Sequence, residues 1–224
     1  MLAEDIGPKW LYWPWVTDHL DVIRDRLVEH IELTVLAVGC GVLIAIPLAI
    51  LSRNRRGVYA PVLSISAIAY TIPSLALFAL LLPITGLSRL TALIPLTAYT
   101  LVILVRNTVT GLQGVPDDVL DAATGMGYSA TRRLWRVEMP LAMPAIIAGV
   151  RIATVSTIGL VTVAAVVGQG GLGELILNEG FQRFFRTPIT VGVVLSLALA
   201  VVADLLLLGA LTLATPWRRA TRTR

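Results

Sequence analysis

Residues 111–144 read GLQGVPDDVLDAATGMGYSATRRLWRVEMPLAMP. The stretch is too polar to cross a bilayer and too regular to be a linker. Val115, Leu120, Ala123 and Met126 can line one face of a short helix opened by Pro116. Asp117 and Asp118 fall in its first turn, where acids complement the helix dipole. Gly125 and Gly127 end that helix. A second helical element is expected over 130–137, with a proline break at Pro140. The pattern describes an amphipathic connection lying parallel to a membrane.

The membrane is legible on either side of it. An apolar segment at 90–109 precedes the connection and one at 143–167 follows it, and three more lie at 31–51, 58–82 and 188–213. Each is long enough to span a hydrocarbon core that takes roughly 20 apolar residues as a helix. Composition agrees: 56% of side chains are apolar and 14% charged, where soluble domains carry about 25% charged residues. The expected fold is all-α and polytopic, with about five transmembrane helices.

Arginine placement orients these spans. Arg53, Arg55 and Arg56 follow the first, Arg106, Arg132, Arg133 and Arg136 flank the connection, and Arg218, Arg219, Arg222 and Arg224 end the chain, eleven on one side. The other side holds six over a longer stretch: Lys9, Arg24, Arg26, Arg89, Arg183 and Arg186. Basic residues concentrate on the cytoplasmic side, which puts the N-terminus outside and the C-terminus and the 111–144 connection inside. The net charge of +4 therefore reflects topology, and with no continuous basic stripe nucleic acid is not an expected partner.

Residues 1–30 carry acids and three tryptophans where a signal peptide needs a basic start and a short apolar run. Val22, Ile23, Leu27, Ile31 and Leu33 recur at helical spacing among Asp21, Arg24, Asp25, Arg26 and Glu29, which predicts an interfacial amphipathic helix before the first span. Trp10, Trp13 and Trp15 suit interfacial anchoring better than an aromatic cage. No internal repeat is evident, and an odd number of spans leaves no simple inverted repeat of the kind that builds many secondary transporters. A second copy or a paralogous subunit is needed to surround a pathway.

The run Asp121-Ala122-Ala123, three residues, Gly127, nine residues, Val137-Glu138-Met139-Pro140 resembles the EAA loop of bacterial ATP-binding-cassette importer permeases, E-A-A-x3-G-x9-I-x-L-P. Spacing matches throughout; aspartate stands for glutamate, and Val137 and Met139 for isoleucine and leucine. Small residues at 122, 123 and 127 allow close backbone approach, and the glycine permits a sharp turn. Thr71-Ile72-Pro73-Ser74-Leu75-Ala76, Val105-Arg106-Asn107-Thr108 and Gly168-Gln169-Gly170-Gly171-Leu172-Gly173 are similar to segments of the permeases for glycine betaine, carnitine and choline.

The resemblance implies a type I importer permease fold over 31–215, a basic cytoplasmic tail at 216–224 and a place in the bacterial cytoplasmic membrane. It further implies an ATPase contact through Asp121, Ala122, Ala123, Gly127 and Pro140. The implied partners are ATPase subunits that bind ATP and magnesium, a second permease and an extracytoplasmic substrate-binding protein, with a small osmoprotectant as substrate. An amino acid or an ergothioneine-like betaine is the alternative substrate, and an ATP-independent channel or carrier the alternative class.

Several motifs point away from catalysis. Lys9 is the only lysine, so no G-x-x-x-x-G-K phosphate loop exists, and Cys40 is the only cysteine. His19 and His30 form no H-E-x-x-H, leaving no metal or catalytic assignment. Gly168, Gly170 and Gly173 satisfy G-x-G-x-x-G without a βαβ context, so close helix packing or a bend is expected there instead of a dinucleotide. Pathway or gate candidates are this glycine run with Gly171, the kink-prone Thr71, Pro73 and Ser74, and Arg151. Arg151 and Asp204 lie within spans and should face protein or an aqueous cavity.

Overall fold

The computed structural model describes residues 10–52 and 56–215. Helix α1 (Trp13–Asp18) precedes α2 (Leu20–Ser52), α3 (Arg56–Thr71), α4 (Ser74–Thr85) and α5 (Arg89–Gln113). The short α6 (Asp117–Gly125) and α7 (Ala130–Arg133) lead through a π-helical turn, Leu134–Glu138, into α8 (Met139–Val163). A 3-10 turn, Ala164–Val167, the short α9 (Leu172–Glu174) and a second π segment, Leu175–Phe181, connect to α10 (Arg186–Ala214). No strand occurs among the described residues. Arg53, Arg55 and the tail 216–224 lie outside them.

Among the described residues, four helical stretches are long and apolar enough to cross a membrane: Leu20–Ser52, Arg89–Gln113, Ala130–Val167 and Arg186–Ala214. The second expected span, at 58–82, is divided. Pro73 cannot donate a backbone hydrogen bond, and its ring disfavours helical geometry at Ile72, so α3 ends at Thr71 and α4 restarts at Ser74.

Two other expectations are corrected. The amphipathic stretch before the first span is not a separate interfacial helix. Nothing between Leu20 and Val38 breaks a helix, and α2 runs unbroken for 33 residues. Its charged residues are held along that end by Arg24–Asp25, Arg26–Glu29 and Arg89–Glu32 ion pairs. Pro140 likewise breaks nothing: it sits in the first turn of α8, where a proline lacks no needed bond, and the π turn before it absorbs the change of register.

Helices α2, α5 and α8 form the core, with α5 central. Leu33, Ala37, Phe78, Leu96, Val161 and Ala164 fill one end. Ala45, Ala49, Leu104, Val105 and Ala153 fill the middle, and Leu112, Leu134, Met139 and Ile146 the other end. The alanines matter because helices in lipid gain most from close backbone approach. A Cβ added at Gly149 would stand 2.6 Å from Asn107 Cβ, so α5 and α8 touch with no spare room. By contrast, only 6% of the most apolar window of α10 is buried, against 50% for α5.

At the Arg89 end, the segment just before α1 is fastened to the first turns of α10. Thr187 Oγ1 accepts from the Tyr12 backbone N–H at 3.1 Å, and Thr190 Oγ1 donates to the Trp10 carbonyl at 2.9 Å. Trp10 covers the Arg186 guanidinium at 5.0 Å, and Trp15 stacks on His19 while meeting Phe185 edge-on. The tryptophans thus fasten and flank the terminus.

Candidate functional site

The 111–144 connection folds as a self-contained knuckle. Pro116 caps α6, and Asp117 and Asp118 occupy its first turn as the sequence predicts. The far end is closed by two backbone bonds, Tyr128 N–H to Ala123 O at 3.1 Å and Gly127 N–H to Thr124 O at 2.9 Å. That pair is the Schellman arrangement, which needs a left-handed residue after the helix. Gly127 supplies it at φ +79°. A Cβ there would meet nothing within 4 Å, so the chain itself demands the backbone conformation and not the space.

The knuckle is tied to the membrane helices by a polar staple absent from the sequence reading. Arg133 donates through Nε to the buried Glu138 carboxylate at 3.1 Å and through a terminal nitrogen to Thr124 Oγ1 at 3.0 Å. Ser129 caps α7, and Arg132 lies 4.4 Å from the Tyr128 ring centre. A cleft of about 210 Å³ between Gln113, Asp117, Leu120 and this staple separates α6 from the bundle. Glu138 occupies an "x" of the motif, which is why the pattern passed over it.

Exposure divides the motif residues. Asp121, Ala122, Gly125 and Gly127 are open, and Asp121 makes no ion pair or hydrogen bond among the described residues. Ala123 is 1% exposed and faces inward. Met126, expected on the inward face with Val115, Leu120 and Ala123, is 69% exposed because the helix has ended before it. With Trp135 also exposed, the knuckle presents small, apolar and acidic groups that the described residues leave uncovered. Pro140 lies half-buried behind it in α8.

The pathway candidates fall in three other places. At the α3–α4 break, Thr71 Oγ1 donates to the Ile68 carbonyl at 2.7 Å, and the Tyr99 hydroxyl on α5 donates to the Ile72 carbonyl. Thr71 thus binds back into α3, while Tyr99, remote in sequence, closes the break. Thr71, Pro73 and Ser74 border a cavity of about 400 Å³ that also touches Tyr70, Tyr99 and Ser156.

Arg151 and Asp204 meet each other. The guanidinium of Arg151 on α8 donates two parallel bonds, 2.8 and 2.7 Å, to the two carboxylate oxygens of Asp204 on α10. The pair borders a second cavity of about 470 Å³ that shares Ser156 with the first.

The glycine run makes the expected bend and close packing together. Gly168 and Gly171 adopt φ +70° and +50°. Cβ atoms at Gly170, Gly171 and Gly173 would stand 2.4 Å from Ala165, 2.7 Å from His30 and 2.2 Å from the Thr162 carbonyl. His30 is fully buried beside the turn, its Nε2 donating to the Ile158 carbonyl at 3.1 Å. The glycines permit close packing, and among the described residues no cluster of metal-ligating side chains forms.

Residues 38–209 match the family of binding-protein-dependent transport system inner membrane components. The chain belongs to that family. As an inner membrane component it is similar to the osmoprotectant import permease protein OsmW of Salmonella typhimurium, 35% identical over 86% of this chain and 92% of the relative. It is also similar to the choline transport system permease protein OpuBB of Bacillus subtilis, 37% identical over 85% of this chain and 88% of the relative. The fold matches a chain of the MetNI methionine ABC transporter in an inward-facing conformation, with a TM-score of 0.80 at 21% identity over 88% of this chain and 98% of that one. This inner membrane component is thus a multi-pass, all-helical permease subunit with an importer transmembrane fold, and its role is transport.

Proposed function

We propose that the permease imports a small quaternary-ammonium osmoprotectant of the glycine betaine, carnitine, choline or proline betaine type, driven by separate ATPase subunits that bind ATP and magnesium. It pairs with a second copy or a paralogous permease and takes substrate from an extracytoplasmic binding protein. The names of its relatives support the substrate class. The knuckle supports the coupling: Asp121, Ala122, Gly127 and Met126 form an uncovered surface on a rigid turn, suited to a groove of an ATPase, with Ala123 and Pro140 packing behind it.

The N-terminus lies outside and the C-terminus in the cytoplasm, as the arginine distribution requires. Motion of the ATPases reaches α5 and α8 through the knuckle and the Arg133–Glu138 staple, and the helices alternate access for substrate. The α3–α4 break with Thr71, Pro73 and Ser74, the Arg151 region and the turn at Gly168, Gly170, Gly171 and Gly173 border the pathway or its gate.

The test is uptake of radiolabelled choline and glycine betaine into vesicles holding this chain with its ATPase and binding protein. ATP-dependent uptake of either is the expected result. Uptake without ATP would replace the reading by a channel or carrier, and ATP-driven uptake of an amino acid alone would replace the substrate.

A further inference from the structure

The cavity at the α3–α4 break has the chemistry of a cation site without carrying a charge. Tyr70, the penultimate residue of α3, and Tyr99 on α5 place their rings 5.6 Å apart at 78°, edge to face, and so form a corner. Tyr70 is 47% exposed and supplies the open face, while Tyr99 is 4% exposed behind it and held in place by its hydroxyl bond to the Ile72 carbonyl. The remaining lining is Thr71, Ser74, Ser156 and apolar or glycine surface, with no ionisable acid or base. In the neighbouring cavity, which shares Ser156, Arg151 and Asp204 neutralise one another.

The aromatic lining of the corner favours a positive ligand. Aromatic faces carry negative potential, and cations bound over them are attracted most when desolvated. A sodium or potassium ion would keep its water in such a place, whereas a quaternary ammonium, which has no N–H to satisfy, loses little on entering. The volume of about 400 Å³ lies in the roughly 300–1,000 Å³ range of small-ligand sites.

Depth supports the same occupant. Tyr99 stands ten residues into α5, about 15 Å from the Arg89 end of a helix about 37 Å long. A lipid headgroup does not reach that level, and a transported solute must pass it.

We propose that the corner between Tyr70 and Tyr99 is a low-affinity site, within the permease itself, for the quaternary ammonium head of the substrate. It rests on the substrate reading above. Because no carboxylate holds the cation, the site lets a solute pass and still excludes those that lack the head.

The test uses the complete reconstituted transporter carrying Cys40→Ser and Ser156→Cys, which places one thiol at the cavity. Its labelling rate with 2-(trimethylammonium)ethyl methanethiosulfonate is compared with that of neutral methyl methanethiosulfonate. The cationic reagent is expected to gain about tenfold relative to the neutral one, and tetramethylammonium to slow it. Tyr70→Phe keeps the preference; Tyr70→Leu abolishes it and the protection. An unchanged preference in Tyr70→Leu overturns the corner, as does choline import by that variant at the wild-type rate. A wild-type complex that imports neither choline nor glycine betaine would refute the substrate reading, while the labelling ratio still decides the corner.

Discussion

Replacing Gly127 separates two reasons for a glycine at that point of the knuckle. The structure gives one of them: φ is +79°, and a Cβ would find open space on this chain. An L-residue forced into the left-handed region costs about 1–2 kcal/mol, which lowers the population of the closed turn by about 5- to 30-fold relative to alternatives. Opening the turn releases the Tyr128 and Gly127 amides from Ala123 and Thr124, and with them the fixed attitude of α6. Asparagine tolerates this region better than alanine, and valine worst.

Coupling is read as solute imported per ATP hydrolysed, in vesicles with saturating substrate-loaded binding protein. The expected order is Gly127, then Gly127→Asn, Gly127→Ala and Gly127→Val, with membrane insertion equal in all four. If Gly127→Asn is as defective as Gly127→Val while Gly127→Ala is normal, side-chain volume against the ATPase decides the position and the backbone argument is wrong. Normal coupling in Gly127→Val would remove the knuckle from the transmission path altogether.

Three further outcomes are expected. Arg151→Ala should lower the yield of assembled transporter on size-exclusion chromatography, and the exchanged pair Arg151→Asp with Asp204→Arg should restore much of it; equal yields for all variants would show that the pair holds nothing. Gly173→Ala puts a Cβ 2.2 Å from the Thr162 carbonyl and should lower the melting temperature in detergent sharply, while Gly39→Ala, with nothing within 4 Å, should not. Arg133→Ala removes bonds to Glu138 and Thr124 and should raise protease cleavage between residues 116 and 130 without changing the melting of the bundle; unchanged cleavage would mean that the knuckle does not depend on the staple.

Hydropathy revealed where the chain crosses lipid because each crossing is a local property of some twenty residues. The knuckle was legible for the same reason: Pro116, the paired aspartates and Gly127 act within one or two turns of themselves. What stayed hidden is what depends on remote partners. Tyr99 reads as one more aromatic in an apolar helix until folding brings its hydroxyl to Ile72, and His30 looks like a terminal-segment residue until α8 offers the Ile158 carbonyl. Arg151 and Asp204 were each conspicuous, yet nothing in their 53-residue separation says that they meet. Pro140 misled because a proline's effect depends on its place within a helix, and a π turn of five residues had no signature in the apolar pattern.

Helix α10 illustrates a problem of register. A helix coated with leucine and valine is solvated by lipid equally well at any rotation about its axis and at many heights. Contacts with α1 and the glycine turn fix its first turns, but Asp204 lies about 27 Å further along, where small angular errors would otherwise accumulate. A forked guanidinium accepts its carboxylate in one orientation only, so the Arg151 pair acts as an index mark. When the last helix leaves the insertion machinery, that mark is what distinguishes its correct seating from all the neighbouring ones.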